Sequence, residues 1–468
     1  MKPLRYYHIG RLLFPIFILL SSCKKFVEVA PPKTQIIGSA VFSNDATATS
    51  AMVGIYSKLM SNSSSFINTQ ITRLGGLSSD ELVNFSTSVN DATVFQNALD
   101  PGNSNVLILW RDTYGYIYQA NAVIEGLINS TGVTSGTKNQ LTGEAKFIRA
   151  LCHFYLVNFF GDVPYITTTD YRANTTVSRT PKAQVYQQII ADLKDAQSLL
   201  NDAYVKSDNT VYTISAERIR PNKWAATSLL ARVYLYVGDW MNAETQASAI
   251  INNSTVYNLT GDLNSVFLKN SNEAIWQLMP VTTGINTPEG SAFILATAPT
   301  STAISDQLLN SFEAGDNRKS KWINSISVGT QTYYYPYKYK VKTGALVTEY
   351  YMVFRLAEQI LIRSEARARQ NNILGAISDL NLIRLRAGLS GSINTLTQAQ
   401  TLTAIDQERR VELFLELGNR WLDLKRTNNA DAILGPLKSP NWQSTDVLYP
   451  IPLAQLQNDP NMTQNAGY

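Results

Sequence analysis

Apolar positions fall into helical registers along most of the chain. Ala48, Met52, Ile55, Tyr56 and Leu59 recur at three- and four-residue spacing and predict a helix beginning near Asn44. Trp110, Tyr114, Ile117, Ala120, Ala122, Ile124 and Ile128 make a broad apolar stripe over residues 110–128. A further helix runs from residue 143 to a stop at Gly161, with Pro164 beyond it, and two more are legible at 183–201 and 222–237. In ARVYLYVGDWMNAETQASAI, residues 231–250, Ala231, Tyr234, Gly238, Trp240, Ala243 and Ala247 stand at tetratricopeptide spacing, and Asp239 is placed to cap the second helix. Small residues at those positions let two antiparallel helices approach closely. A second such pair covers 356–387, with Ala376, Leu380 and Ile383 on the return helix, Gly388 at its end, and Arg367 where an aromatic is usual. A last helix is predicted over 402–417, stopping at Gly418.

Two stretches interrupt this periodicity. Residues 61–105 are rich in Ser, Asn, Thr and Gly, with Gly75-Gly76 and Pro101-Gly102 as breakers, and read as a long decorated loop region. Within 255–350, residues 274–280 and 333–341 read as strands. In the second, Tyr335, Tyr337, Tyr339 and Val341 share a core-facing side, and Lys338 and Lys340 take the other. The expected fold is mainly α: a tetratricopeptide-like helical repeat scaffold with loop-rich, partly β insertions at about 61–105 and 255–350. Stacked repeats bury one another's faces, so function is expected on the insertions.

The first 42 residues follow another logic. Lys2, Arg5 and Arg11 precede the apolar run Leu12 to Leu20, as in a secretory signal. The run contains Pro15 and has about half of the roughly 20 apolar residues that a membrane span needs. Its end, Leu20-Ser21-Ser22-Cys23, resembles the bacterial lipobox, in which the cysteine thiol takes a lipid and the chain is cut just before it. Residues 1–22 are thus expected to be a lipoprotein signal peptide, Cys23 the lipidated first residue, and 23–42, with Pro31-Pro32, a tether.

Composition narrows the chemistry. Charged residues make up 16% of the chain, against roughly 25% in average domains, while Tyr, Asn, Ser and Thr abound, as suits a surface that works by hydrogen bonds and stacking. The formal charge of +4 includes the basic signal, so the body is close to neutral and carries no nucleic-acid signature. Once His8 leaves with the signal, His153 is the only histidine, which excludes two-histidine metal motifs; Cys152 beside it points another way on a helix, and both are expected in the core. No glycine loop of the phosphate-cradling type is present. The run ERRVELFLELGNRWLDLKR, residues 408–426, sets Glu408, Glu412 and Glu416 at four-residue spacing beside Arg409 and Arg410, with Arg420 and Asp423 following; an ion-pair network clamping two helices is the simpler reading than a catalytic group. Of the tryptophans, Trp110, Trp224, Trp240 and Trp421 belong to scaffold helices and Trp276 to a buried strand, leaving Trp322 and Trp442 open.

Several segments, in order, resemble the SusD/RagB family of outer-membrane nutrient-binding lipoproteins of Bacteroidetes. They are LLSSC, GEAKFIRALCHFYLVNFFGDVP, KWAATSLLARVYLYVGDWMNAETQA, FEAGDNRK with YKY, RLAEQILIRSEARA, LNLIRLRAGL, ERRVELFLELGNRWLDLKR and the closing YPIPLAQLQNDPNMTQNAGY. The resemblance implies one domain over 43–468, built on about four tetratricopeptide-like helix pairs with a variable, loop-rich ligand face. It implies a non-enzymatic protein without cofactor or metal, held to the outer membrane by lipid and facing outward. Such a protein captures oligosaccharides, or in some members peptides, for a TonB-dependent transporter of the SusC type. A tetratricopeptide adaptor without a small ligand is the reading from another class. Here Lys24-Lys25 follow the cysteine where acidic residues are frequent in exported members. The family's motifs are scaffold, so candidate ligand residues come from the insertions: Asp80, Asn84, Phe85 and Phe95 from the first, and Phe293 and Trp322 from the second. Rings flanked by amides and carboxylates are what a sugar face needs.

Overall fold

Helix capping follows the sequence closely. The computed structural model describes residues 38–61, 66–391 and 396–468. Helix α1 (Asp45–Ser61) buries Ala48, Met52, Ile55, Tyr56 and Leu59, the predicted face. Residues 71–78 and 89–96 form two short helices, α2 (Ile71–Ser78) and α3 (Val89–Gln96). Then come α4 (Ser104–Ile128), capped by the Asn103 side chain, and α5 (Ser135–Phe160), which ends at Gly161 in a left-handed backbone with φ 76°. The scaffold continues through α6 (Lys182–Leu199), α7 (Lys223–Val237), α8 (Trp240–Ile251), α9 (Leu356–Arg369), α10 (Ile373–Arg386), α11 (Gln398–Glu412) and α12 (Asn419–Arg426).

Helices α5 and α6, α7 and α8, and α9 and α10 form successive packed pairs, and each pair packs on the next; α4 covers the open side of α5. Gly238 adopts φ 78° between α7 and α8, and the Asp239 carboxylate accepts from Asn242 N at 3.2 Å, as the sequence predicts. Ala231, Ala243 and Ala247 are fully buried where the two helices meet. The fourth pair, α11 and α12, is joined by ion pairs, Arg409 to Asp423 at 2.8 Å among them, and α12 packs against α2.

Residues 66–105 of the first insertion are more ordered than a loop reading allows. Ile71, Leu74 and Leu77 of α2 are fully buried, and the glycines serve close approach rather than chain breaking: a Cβ on Gly75 would lie 2.7 Å from Gly418 Cα. The helix expected over 402–417 stops at Glu412. Leu415 and Leu417 take positive φ of 48° and 50°, a strained geometry held because their N–H groups donate to Glu81 Oε1 at 3.1 Å and Thr72 Oγ1 at 3.0 Å. The first insertion thus fixes the end of the repeat array.

Among the described residues, three two-stranded antiparallel ribbons make the β part: β1 (Leu82–Asn84) with β3 (Thr302–Ile304), β2 (Ala274–Leu278) with β6 (Tyr351–Arg355), and the hairpin β4 (Ile323–Val328) with β5 (Gln331–Pro336). The β2–β6 ribbon is buried, with Trp276 fully inside. The strand expected over 333–341 ends at Pro336. Lys338 is not solvent-facing as the alternation suggests: it is buried, and its ammonium donates to Glu412 O at 2.9 Å, Phe414 O at 2.8 Å and the Glu416 carboxylate. Cys152 and His153 lie in the core as expected. His153 Nδ1 faces Arg149 O at 2.9 Å and Nε2 accepts from Ile166 N at 3.3 Å, and burial pushes its pKa down to about 4, so the ring is neutral and structural.

Candidate functional site

The glutamates of the acidic run meet cations from distant segments. Fully buried Glu412 receives Arg355 at 2.6 Å, Arg318 at 2.9 Å and Arg386. Glu408 takes Arg318 at 2.5 Å, and Glu416 takes Arg355 at 2.8 Å and Lys338. Every carboxylate in this cluster is matched by a guanidinium or ammonium, and it lies inside the molecule. It is a clamp, and it joins α11, α10, β6 and the second insertion.

Beyond the clamp, the two insertions meet at the surface. The β1–β3 ribbon is fixed from below: Asp80 is buried and held by Arg420 at 2.8 Å and Arg410 at 2.7 Å. Burial alone would raise the Asp80 pKa, but hydrogen bonds and charge from Arg420, with the charge of Arg410, hold the carboxyl below its ordinary value. Neighbouring Glu81 is also buried, accepts from Leu415 N, and has no partner for its second oxygen; burial pushes it up to about 8, so it is protonated at neutral pH.

Past this anchor the chain turns outward. Phe85 N donates to Ser301 O at 2.7 Å, while the Phe85 ring, 39% exposed, meets the half-buried Tyr333 ring edge-on with centroids 5.6 Å apart. Tyr333 stands on β5 opposite Ile326, while the next residue, half-buried Tyr334, points to the other side of the ribbon and packs against the core. Val89 at the start of α3 is 75% exposed, and Ser327 and Thr332 join hydroxyls across the hairpin at 3.0 Å. The exposed Phe85 ring, the Tyr333 ring beside it and the hairpin hydroxyls form a face suited to stacking a ring and to hydrogen bonding. Among the described residues, no group of three or more His, Cys, Asp or Glu side chains could hold a metal ion, and no helix is long and apolar enough to cross a membrane.

Residues 157–468 match the model described as SusD family, and residues 25–235 match one described as starch-binding associating with outer membrane. The chain belongs to the SusD family. It is similar to SusD-like protein P2 of Formosa agariphila, 28% identical over 428 residues that cover 78% of this chain and 81% of the relative. Its fold is that of a SusD superfamily protein from Bacteroides vulgatus, with a TM-score of 0.79 at 21% identity over 91% of this chain and 100% of the other. It also matches the surface glycan-binding protein A from Bacteroides fluxus, with a TM-score of 0.74 at 22% identity over 91% and 100% of the two chains.

Within this SusD-family fold the six candidate ligand residues separate. Asn84 and Phe85 lie at the insertion face, although the Asn84 amide is engaged locally, accepting from Ser86 N at 3.1 Å and donating to Ser86 O at 3.2 Å. Phe95 is half-buried beneath Lys438, whose ammonium sits 4.1 Å from the ring centroid. Three candidates are corrected by their positions. Trp322 is fully buried, its indole N–H donating to Leu263 O at 2.9 Å with Lys338 over its ring; Phe293 is in the core; and Asp80 is consumed by its two arginines. Cys23 lies outside the described residues. Tyr333, the ring partner of Phe85, was not among the candidates; its signal in the sequence is that the tyrosine alternation of 335, 337 and 339 continues back to it near the hairpin tip.

Proposed function

We propose that this SusD-family chain binds neutral oligosaccharides on the face around Phe85 and Tyr333 and passes them to a TonB-dependent transporter without altering them. The observation that carries the reading is the edge-on pair of exposed Phe85, one residue past the anchored β1–β3 ribbon, with half-buried Tyr333 of the β4–β5 hairpin. Family membership and the printed description of its Bacteroides fluxus neighbour as a surface glycan-binding protein support a sugar as the occupant. The description of the matching N-terminal model, associating with outer membrane, supports the location, and Cys23 would supply the lipid anchor. Each stacked ring contributes roughly 0.5–1.5 kcal/mol. Millimolar affinity needs only about 4 kcal/mol, so two rings and a few hydrogen bonds suffice.

The test is calorimetric titration of residues 24–468 with panels of neutral oligosaccharides and of peptides. Saturable binding to at least one oligosaccharide, weakened about tenfold by Phe85→Ala, is expected. Binding to peptides alone, or release of reducing ends from any bound glycan, would overturn it.

A further inference from the structure

A cavity of about 700 Å³ opens where the ends of α5 and α12 meet the start of α6 and the C-terminal segment. Arg179, Lys182, Lys425 and Arg426 line it. The charge of Arg426 is matched by Asp423 at 2.6 Å and Glu365 at 2.7 Å. Among the described residues, the other three cations have no carboxylate ion pair. Arg179 forms part of the wall, donating to Asp162 O at 2.7 Å, Thr463 O at 3.2 Å, Phe160 O at 3.4 Å and the Asn465 amide. Lys425 is half-buried over the Trp421 ring at 5.1 Å and donates one proton to Asn158 O, leaving two without a protein acceptor. Lys182 lies 5.9 Å over the Tyr186 ring, and its ammonium makes no hydrogen bond to the described residues.

Two carboxylates share the lining; each accepts a hydrogen bond from another donor, and the charge of Asp162 offsets part of the burial cost of Arg179 and Lys182. Asp162 Oδ1 accepts from Lys182 N at 2.7 Å, capping α6, and Asp431 Oδ1 accepts from the Trp442 indole at 2.8 Å. The side chains of Asn428 and Ser444 are exposed at the mouth and add neutral donors. Burial lowers the pKa of both Lys182 and Lys425, and their mutual repulsion adds to the effect on Lys425. A bound anion would relieve both costs.

An unpaired buried cation by itself means little in this molecule. Lys438 donates to Leu77 O and Phe95 O, and Arg218 to Ala274 O and Val256 O, each in closed packing. The cavity differs because two ammonium groups with spare protons face open space beside a hydroxyl and an amide.

We infer that this cavity binds a tetrahedral oxyanion, a sulfate or phosphate group, either free or esterified to a sugar. Lysines act as point charges for such groups, without the planar fork that favours carboxylates. The site is separate from the face around Phe85 and does not depend on that face binding sugar.

The test is equilibrium dialysis of the purified chain at low ionic strength against labelled inorganic sulfate and labelled phosphate, with galactose 6-sulfate as competitor. Saturable retention of at least one label is expected. Lys182→Gln and Asn428→Asp, both at exposed positions, should each weaken it about tenfold, the loss expected for one charge-assisted hydrogen bond or an added repulsion. Phe85→Ala should leave it unchanged. Displacement by galactose 6-sulfate at about a tenth of the inorganic concentration identifies a sulfated sugar as the source, and equal potency identifies the free ion. No saturable retention of either label, or retention equal in wild type and both variants, overturns the inference. Neutral oligosaccharide binding reports on the other face alone, so failure of one reading leaves the other intact.

Discussion

Replacing Glu412 by Gln tests the central clamp. The wild-type carboxylate is fully buried and faces Arg318, Arg355 and Arg386; the amide keeps the shape but leaves the three guanidinium groups short of one negative charge. Breaking a buried pair in this way costs about 3–5 kcal/mol. With an unfolding entropy of about 2.1 cal/mol/K per residue over roughly 420 described residues, 4 kcal/mol corresponds to a fall in Tm of about 4–5 °C. The pH dependence has a definite sign. Burial raises the Glu412 pKa, but the charges of Arg386, Arg355 and Arg318 outweigh it and hold the carboxyl well below its ordinary 4.5. Its contribution is therefore fully present above pH 4.5 and is lost as the pH falls through the folded value. Scanning calorimetry at neutral pH and at successively lower pH should show the gap between wild type and Glu412→Gln closing on acidification. Asp195→Asn is the control, since the Lys146–Asp195 pair is largely exposed and should contribute under about 1 kcal/mol. A fall for Glu412→Gln no larger than that of the control at neutral pH would refute the clamp as a source of stability.

Gly75→Ala drives a methyl to 2.7 Å from Gly418 Cα, a backbone atom that cannot step aside, and should cost about 1–3 kcal/mol in chemical denaturation. Glu81, held protonated up to about 8, binds a proton in the folded chain that the unfolded chain has released above 4.5; this destabilises the fold progressively as pH rises between those values. Glu81→Gln removes that titration, so its Tm relative to wild type should climb from about pH 5 to about pH 9, and a constant difference would count against a buried acid. Cys152 is fully buried and burial pushes its thiol pKa well up, so in residues 24–468 a thiol reagent should react only after denaturant is added.

What the sequence revealed was what neighbouring side chains decide. Tyr234, Gly238, Asp239 and Ala243 lie within one helical hairpin, so spacing alone carries the turn, the cap and the close contact. The segment around Gly75 reads as loop because small residues have low helical signal, yet its helix forms because a distant glycine, Gly418, accepts it at close range. Lys338 looks solvent-facing by alternation, and only the folded chain brings the Glu412 and Phe414 carbonyls to its ammonium. Trp322 looked available because its surroundings lack periodicity, whereas Leu263, far back in the chain, takes its indole proton. Phe85 was legible as an aromatic on an insertion, but its partner Tyr333 comes from the other insertion, and no local pattern joins them.

Besides their buried apolar side chains, Ile71, Leu74 and Leu77 in the first and Trp276 and Trp322 in the second, the two insertions are secured to the repeats by charge and by backbone capture. Asp80 is gripped by Arg420 of α12, and Glu81 receives the Leu415 N–H of the turn that ends α11. Five residues after that grip, Phe85 is at the surface. The fixed part of the segment and the exposed part are therefore almost adjacent, and a side chain exchanged at Phe85, Val89 or Tyr333 changes the surface without touching the clamp. A scaffold of this kind can hold its shape while its ligand face varies, because the residues that determine the fold point inward at Asp80 and Glu81 and those that meet solvent begin just beyond them.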